Sequence, residues 1–169
     1  MKQAIFGVAP STLSEVTIMT VWPTLAAIAP GRVLGRLCGI RVGIGPIFTL
    51  GNLFALMSIP LAVAMFFGGL MPGVARRYRL TNRRVLIERQ KLNFSGRYVE
   101  ERAVSLEKFD AIDVVVLPGQ EWYPAGDLIF RLGNVETFRL VGVSRPETFR
   151  RTCLSASLGY VGARKANAR

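Results

Sequence analysis

Side chains able to carry out catalysis are scarce in this sequence. The chain contains no histidine, so neither a serine–histidine nor a cysteine–histidine pair is possible. Its two cysteines, Cys38 and Cys153, lie in different parts of the chain, a spacing that indicates small apolar side chains and not a disulfide framework or a metal site. Asp110 and Asp113 flank a predicted strand, where turn and edge roles are typical. We therefore expect no enzymatic activity, no cofactor and no metal.

Binding chemistry is better represented, first by a group of arginines. The arginine cluster consists of Arg76, Arg77, Arg79, Arg83 and Arg84. A basic group near an anionic membrane surface contributes about 1 kcal/mol of attraction. The cluster therefore predicts binding of anionic lipid head groups. The alternative is a solvated basic surface whose role is to determine membrane topology.

A second candidate for binding is the loop at residues 120–125, which contains two large aromatic residues. Trp122 and Tyr123 are adjacent there, and exposed aromatic side chains in loops often anchor a protein partner or a membrane edge. The alternative is that one of the two rings folds back as a lid on the core of the domain.

An apolar segment precedes the arginine cluster. No charged side chain lies between Arg41 and Arg76, and about 20 apolar residues are enough for a helix to cross the hydrocarbon of a bilayer. The sequence therefore predicts a transmembrane segment over residues 42–75, kinked where Pro60 removes a backbone hydrogen bond. The alternative outside a membrane is a wholly buried helix of a soluble domain.

The topology of this segment has two interpretations. Arginines beside a membrane segment mark its cytoplasmic side, so a single span places the domain after it in the cytoplasm and the N-terminus outside. Alternatively, a helical hairpin enters and leaves on one face, which places both flanks in the cytoplasm. Its breaks would fall at Gly51, Pro60, Gly68 and Gly69. In either case we expect the protein in the cell membrane.

Residues 1–41 are predicted to form an N-terminal juxtamembrane segment. Apolar residues recur at helical spacing over residues 30–41, and Arg32 and Arg36 share a face there. This pattern is typical of an interfacial amphipathic helix, or of a helix packed on the domain. The net charge of +11 favours the anionic bilayer as a partner. Nucleic acid is not favoured, because the aromatic residues lie at the spacing of strand cores.

The sequence pattern changes at Arg76. Apolar and charged residues alternate there with the period of half-buried strands, and turn residues separate several such runs. After residue 144 the period becomes helical, with an apolar face that includes Phe149, Cys153 and Tyr160. We therefore expect an α+β membrane protein. Its domain, residues 76–161, would be an antiparallel β-barrel or sandwich capped by a C-terminal amphipathic helix, followed by a basic tail over residues 162–169.

Four short motifs within residues 74–161 carry a resemblance to a known family. Residues 78–84 resemble the "Y-x-L-T-N-x-R" opening of the membrane-anchored bacterial pleckstrin-homology-like family, in which a transmembrane segment immediately precedes this motif. Leu106 and Ile112 lie where the family has its "L-x-x-I-x-x-V" step. Residues 126–130 resemble its "G-x-G-x-L" strand, although Ala125 and Asp127 depart from the glycine spacing, and residues 143–147 resemble "V-x-x-P-E".

The resemblance implies a pleckstrin-homology-like fold and a non-catalytic role in binding and assembly, usually with two membrane spans before the domain. We therefore expect a membrane-anchored module that binds a protein partner, or a second copy of itself, at the cytoplasmic face. The alternative function is head-group binding through the arginine cluster.

Overall fold

The computed structural model describes residues 14–44, 48–71, 73–91 and 96–167. This part of the chain is an α+β structure of nine strands and three α-helices. In chain order they are β1 (Thr17–Val21), α1 (Ala29–Cys38), β2 (Gly43–Ile44), β3 (Phe48–Thr49), α2 (Leu50–Leu70), β4 (Arg76–Thr81), β5 (Arg84–Gln90), β6 (Tyr98–Ser105), β7 (Ala111–Val115), β8 (Ala125–Leu132), β9 (Val135–Ser144) and α3 (Pro146–Asn167).

The seven long strands of the described chain form two antiparallel sheets. The first sheet has the order β1-β4-β5-β6 and the second the order β7-β8-β9, while β2 and β3 pair as a separate small hairpin. An isolated bridge from Pro23 to Val143 links the two sheets. The predicted antiparallel strands and C-terminal helix are therefore confirmed. The described strands form two separate sheets and not one closed barrel.

One hydrophobic core lies between the sheets and α3. Leu80 and Val85 from the first sheet, Phe130 from the second and Phe149 from α3 are fully buried. The ring of Phe130 contacts that of Phe109 edge to face, with centroids 5.0 Å apart. Burial of a large apolar side chain contributes about 2 to 3 kcal/mol. The core thus explains why Tyr78 and Leu80 of β4 are buried, whereas Arg77 and Arg79 beside them are half-buried.

Helix α2 runs without interruption from Leu50 to Leu70, so the predicted break into a hairpin of two short helices is wrong. Gly51 and Gly68 lie near the two ends, where they do not interrupt the helix, and Pro60 removes only one backbone bond. The helix begins at Thr49, whose hydroxyl accepts a hydrogen bond of 3.2 Å from the Asn52 amide. It is long and apolar enough to cross a membrane.

Nearly all of α2 is exposed on the surface of the folded chain. Gly51 is its one buried residue, so the alternative of a wholly buried core helix is wrong. Large side chains such as Leu56 and Met57 are about 70% exposed, at 67% and 71% respectively. Monomeric soluble proteins rarely expose apolar patches of this size, and such patches mark contacts with a membrane or a partner.

We expect the stability of the core to fall at alkaline pH because of Tyr78. Burial raises the pKa of this phenol to about 12, and its hydroxyl donates a 2.8 Å hydrogen bond to the Val141 carbonyl. Between pH 10 and 12 the unfolded chain loses the Tyr78 proton while the folded chain keeps it. Stability should therefore be intact below pH 10 and fall by about 2 to 3 kcal/mol as the pH rises to 12.

Urea unfolding of the detergent-solubilised protein at several pH values measures this loss, and Tyr78→Phe is the control. The buried thiol of Cys153, whose pKa burial also raises to about 12, contributes in the same direction and should remain in the variant. A shallower pH dependence between pH 10 and 12 is the expected result for Tyr78→Phe. An unchanged slope would contradict the role given to Tyr78.

Candidate functional site

The arginine cluster is divided among two strands and a turn. Arg76, Arg77 and Arg79 belong to β4, Arg84 begins β5, and Arg83 lies in the turn between the strands. Because a strand rises about 3.3 Å per residue, the first and last members lie near opposite ends of β4. The sequence cluster is therefore a row along one strand pair and not a single basic pocket.

Glu88 partly offsets the charge in the middle of this row, because one carboxylate is shared by two arginines. Its carboxylate lies on β5 opposite β4 and forms ion pairs with Arg77 at 2.5 Å and with Arg79 at 2.6 Å. Glu88 is 4% exposed, and the Arg77 guanidinium also stacks 3.8 Å from the centre of the Tyr98 ring. These contacts tie both arginines to the sheet, and the three side chains together keep one net positive charge.

The two ends of the row also have carboxylate partners. Arg76 pairs with Glu101 at 3.2 Å. Arg84 pairs with both Glu15 at 2.8 Å and Glu100 at 2.9 Å. The hydrogen bond from Arg84 holds the pKa of the Glu15 carboxyl below its ordinary value. Four of the five cluster arginines are thus in ion pairs, and exposed pairs of this kind are each worth about 0 to 1 kcal/mol.

The two aromatic side chains of the loop between β7 and β8 are buried to different extents. Tyr123 is half-buried against α1, where a side chain at Gly35 would lie 3.0 Å from the Tyr123 ring. Burial raises the pKa of Tyr123. Trp122 remains 47% exposed. Tyr123 therefore packs on α1 and is not part of the buried core between the sheets, while Trp122 stays at the surface.

A groove opens beside Trp122. It has a volume of about 890 Å³ and lies between α1, the first turn of α2 and the loop after β7. Its lining includes two cations, Arg36 and Arg41, one acid, Glu121, and the Trp122 ring. The groove thus combines an aromatic surface with a basic edge. We call it the Trp122 groove.

Close backbone contacts hold the walls of the Trp122 groove together. Gly35 of α1 and Gly119 of the loop approach so closely that a side chain at either position would collide with backbone carbonyl groups. Gly119 also has φ 91°, a conformation that favours glycine. Arg36 donates a 3.1 Å hydrogen bond from Nε to the Pro118 carbonyl. Both walls are therefore positioned by the fold before any partner arrives.

A buried polar network positions the loop from beneath. Gln120 is 0% exposed and Asp127 is 2% exposed. The Gln120 side chain donates to Asp127 Oδ1 at 2.7 Å and accepts from the Leu117 amide at 2.9 Å. Asp127 Oδ1 also accepts from the Gly142 amide at 2.9 Å. This network is not predicted from the sequence, although Asp127, an acid inside the apolar run of β8, is its signal.

The fold and the groove define an α+β protein with an exposed apolar helix and a preformed surface groove at one end of it. No protein family, curated protein or solved structure matches the chain. Within the described residues there is no group of three metal-ligating side chains, and both cysteines are buried and unpaired.

Proposed function

We propose that this protein is a membrane-anchored, pleckstrin-homology-like module that binds a protein partner at the cytoplasmic face of the cell membrane. The exposed apolar length of α2 supports the anchor. Two antiparallel sheets followed by a C-terminal helix, together with the motifs in residues 74–161, support the pleckstrin-homology-like assignment. The fold assignment alone carries no function.

The observation that carries the binding function is the exposed Trp122 ring at the edge of a preformed groove. Tryptophan is enriched among the residues that dominate protein interfaces. Binding to a preordered surface costs little conformational entropy, and the buried bonds of Gln120 give the loop such order. Arg36 and Arg41 at the groove favour a partner segment that presents an apolar side chain beside acidic residues.

The alternative function, head-group binding through the arginine cluster, has weaker support from the geometry. Arg76, Arg77, Arg79 and Arg84 are already paired with glutamates. An anionic lipid would have to displace those carboxylates. This candidate predicts that neutralising the cluster abolishes binding to anionic vesicles while binding at the Trp122 groove is unaffected.

Trp122→Ala is expected to reduce recovery of the partner at least tenfold, because truncation of an interface anchor costs about 2 kcal/mol or more. A photo-reactive amino acid at Glu121, at the edge of the groove, would cross-link the partner in intact membranes. The chain supplies a matched control in Trp22→Ala, since Trp22 is 48% exposed and lies outside the groove.

The cross-linked product identifies the partner as another protein or as a second copy of this chain. Loss of the product in Trp122→Ala but not in Trp22→Ala is the expected result. Equal recovery in both variants and the unmodified chain would overturn the proposed binding at the groove.

A further inference from the structure

Strand β1 precedes α2 in the chain, whereas β4 follows it, yet the two strands are neighbours in one sheet. Thr20 lies opposite Arg79, and Val21 lies opposite Tyr78. The side chain of Asn82 also binds the chain before β1, accepting from the Val16 amide at 3.0 Å and donating to the Ser14 carbonyl at 3.1 Å. The two flanks of α2 therefore belong to one folded body.

The N-terminal end of α2 is bonded to the part of this body formed by α1. The amide of Gly51 donates to the Ile40 carbonyl at 3.0 Å, and the amide of Leu50 donates to the Val42 carbonyl at 2.8 Å. Helix α1 is in turn fixed to the loop after β7, through the hydrogen bond from Arg36 to Pro118. This end of α2 cannot move away from the domain without breaking these contacts.

The chain just after the C-terminal end of α2 is bonded to the first sheet. The Gly73 amide donates to the Gln90 carbonyl at 3.0 Å, and Arg89 Nε donates to the Gly73 carbonyl at 2.6 Å. A helix of 21 residues is about 32 Å long. The folded domain therefore holds both ends of α2, which are about 32 Å apart.

A single crossing of a bilayer is incompatible with these contacts. It would place the chain before α2 and the chain after it on opposite sides of about 30 Å of hydrocarbon. Strand β1 comes before α2 and β4 comes after it, yet the two strands are paired, and paired strands lie about 5 Å apart. We propose that α2 does not cross the membrane but lies lengthwise within one leaflet, so that both of its ends face the cytoplasm. This inference rests on the membrane anchoring in the proposed function.

The composition of α2 suits immersion in one leaflet. It carries no charged residue, so it has no polar face to keep at the membrane surface, as an interfacial amphipathic helix does. Its diameter of about 10 to 12 Å fits within one leaflet, which is half of about 30 Å of hydrocarbon. All backbone bonds of a helix are internal, so no edge is exposed to lipid.

Basic side chains at both ends of α2 favour the same membrane surface. Arg36 and Arg41 lie near its start, and Arg89 and Lys91 lie near its end, all four exposed. Cations beside a membrane segment mark the cytoplasmic side and attract anionic head groups. A single span would place one of these two groups on the wrong side, whereas a one-sided helix places both on the favoured side.

Labelling of single cysteines in the full-length protein tests this topology. Ser14→Cys and Arg41→Cys report on the chain before α2, and Asn134→Cys, in the turn between β8 and β9, reports on the domain. All three positions are exposed, whereas the native Cys38 and Cys153 are buried and set a slow baseline. A membrane-impermeant maleimide would be applied to spheroplasts and, separately, to inside-out vesicles.

One-sided insertion predicts that all three cysteines react in inside-out vesicles and are protected in spheroplasts. Labelling of Ser14→Cys and Asn134→Cys from opposite sides would overturn it, while leaving the membrane anchor and the groove proposal intact. Release of the protein from membranes by high salt would overturn both the insertion and the anchor. Release by high salt is also the result expected if a second copy of the chain, and not lipid, covers α2.

A cross-link between β1 and β4 provides a second measurement. Thr20→Cys combined with Arg79→Cys places two thiols on directly opposed residues, within the Cα separation that a disulfide requires. Oxidation of membranes that contain this variant should yield a cross-linked chain with altered mobility. Thr20→Cys with Asn134→Cys is the negative control. No cross-link in the paired variant, with folding verified, would contradict the one-sided arrangement.

Discussion

Replacement of Asp127 by alanine is expected to lower the free energy of unfolding by about 3 kcal/mol. Asp127 Oδ1 accepts hydrogen bonds from the Gln120 side chain at 2.7 Å and from the Gly142 amide at 2.9 Å. Both donors are buried, so the variant leaves two polar groups without a partner and without water. Each such group costs about 1 to 3 kcal/mol. Urea unfolding of the full-length protein in detergent measures the loss.

The variant Asp127→Asn separates hydrogen bonding from charge. Its side-chain oxygen can still accept from Gln120 and Gly142, so the loss should be less than half of that in the alanine variant. Hydrogen exchange would show the largest local increase in the loop after β7, where the Leu117 amide is bonded to Gln120. An alanine variant as stable as the unmodified chain would contradict the role of this network in positioning the Trp122 groove.

The strands of the domain could be predicted because their pattern is local. In β4 the buried Tyr78 and Leu80 alternate with the half-buried Arg77 and Arg79, which is the period that the sequence analysis used. Helix α3 was predicted from its apolar face, and Phe149 and Cys153 are fully buried. Each of these assignments requires only neighbours within about ten residues.

The arrangement of the elements could not be predicted in the same way. Pairing of β1 with β4 joins residues separated by the whole of α2, and no local periodicity encodes such a contact. The ion pairs of the arginine cluster have the same origin: Glu15 reaches Arg84 only because β1 lies beside β4. Counted along the sequence, the cluster has an excess of positive charge. In the folded sheet, most of its arginines form ion pairs with glutamates.

The Trp122 groove depended equally on distant contacts. The aromatic pair was visible in the sequence, but the different positions of Trp122 and Tyr123 follow from α1, which packs against the loop through Gly35 and Gly119. Glycine at these two positions permits an approach that any side chain would prevent. Neither Gly35 in its helix nor Gly119 in its Pro-Gly turn is distinctive in the sequence. Their contact in the folded chain shows that both are needed for α1 to pack against the loop.

The largest expected effect concerns α2: lysine at both Leu56 and Leu61 should release the protein from membranes. Both side chains are more than half exposed, at 67% and 55%, so the substitutions do not disturb the core. A lysine held in the hydrocarbon of a membrane costs about 3 kcal/mol, so even one such lysine corresponds to at least about two orders of magnitude in partitioning. The two positions are five residues apart, so they lie on different faces of the helix and cannot both reach the head groups.

Sedimentation of the protein with liposomes measures this partitioning, and the matched control carries the same two charges elsewhere. Leu132→Lys with Leu158→Lys alters two leucines on the domain that are 50% and 76% exposed, and this variant should stay with the membrane. If the α2 variant also stays, the helix is not in contact with lipid, and both the anchor and the one-sided insertion fail. If it leaves while its urea unfolding transition is unchanged, the apolar surface of α2 is what holds a stably folded domain at the membrane.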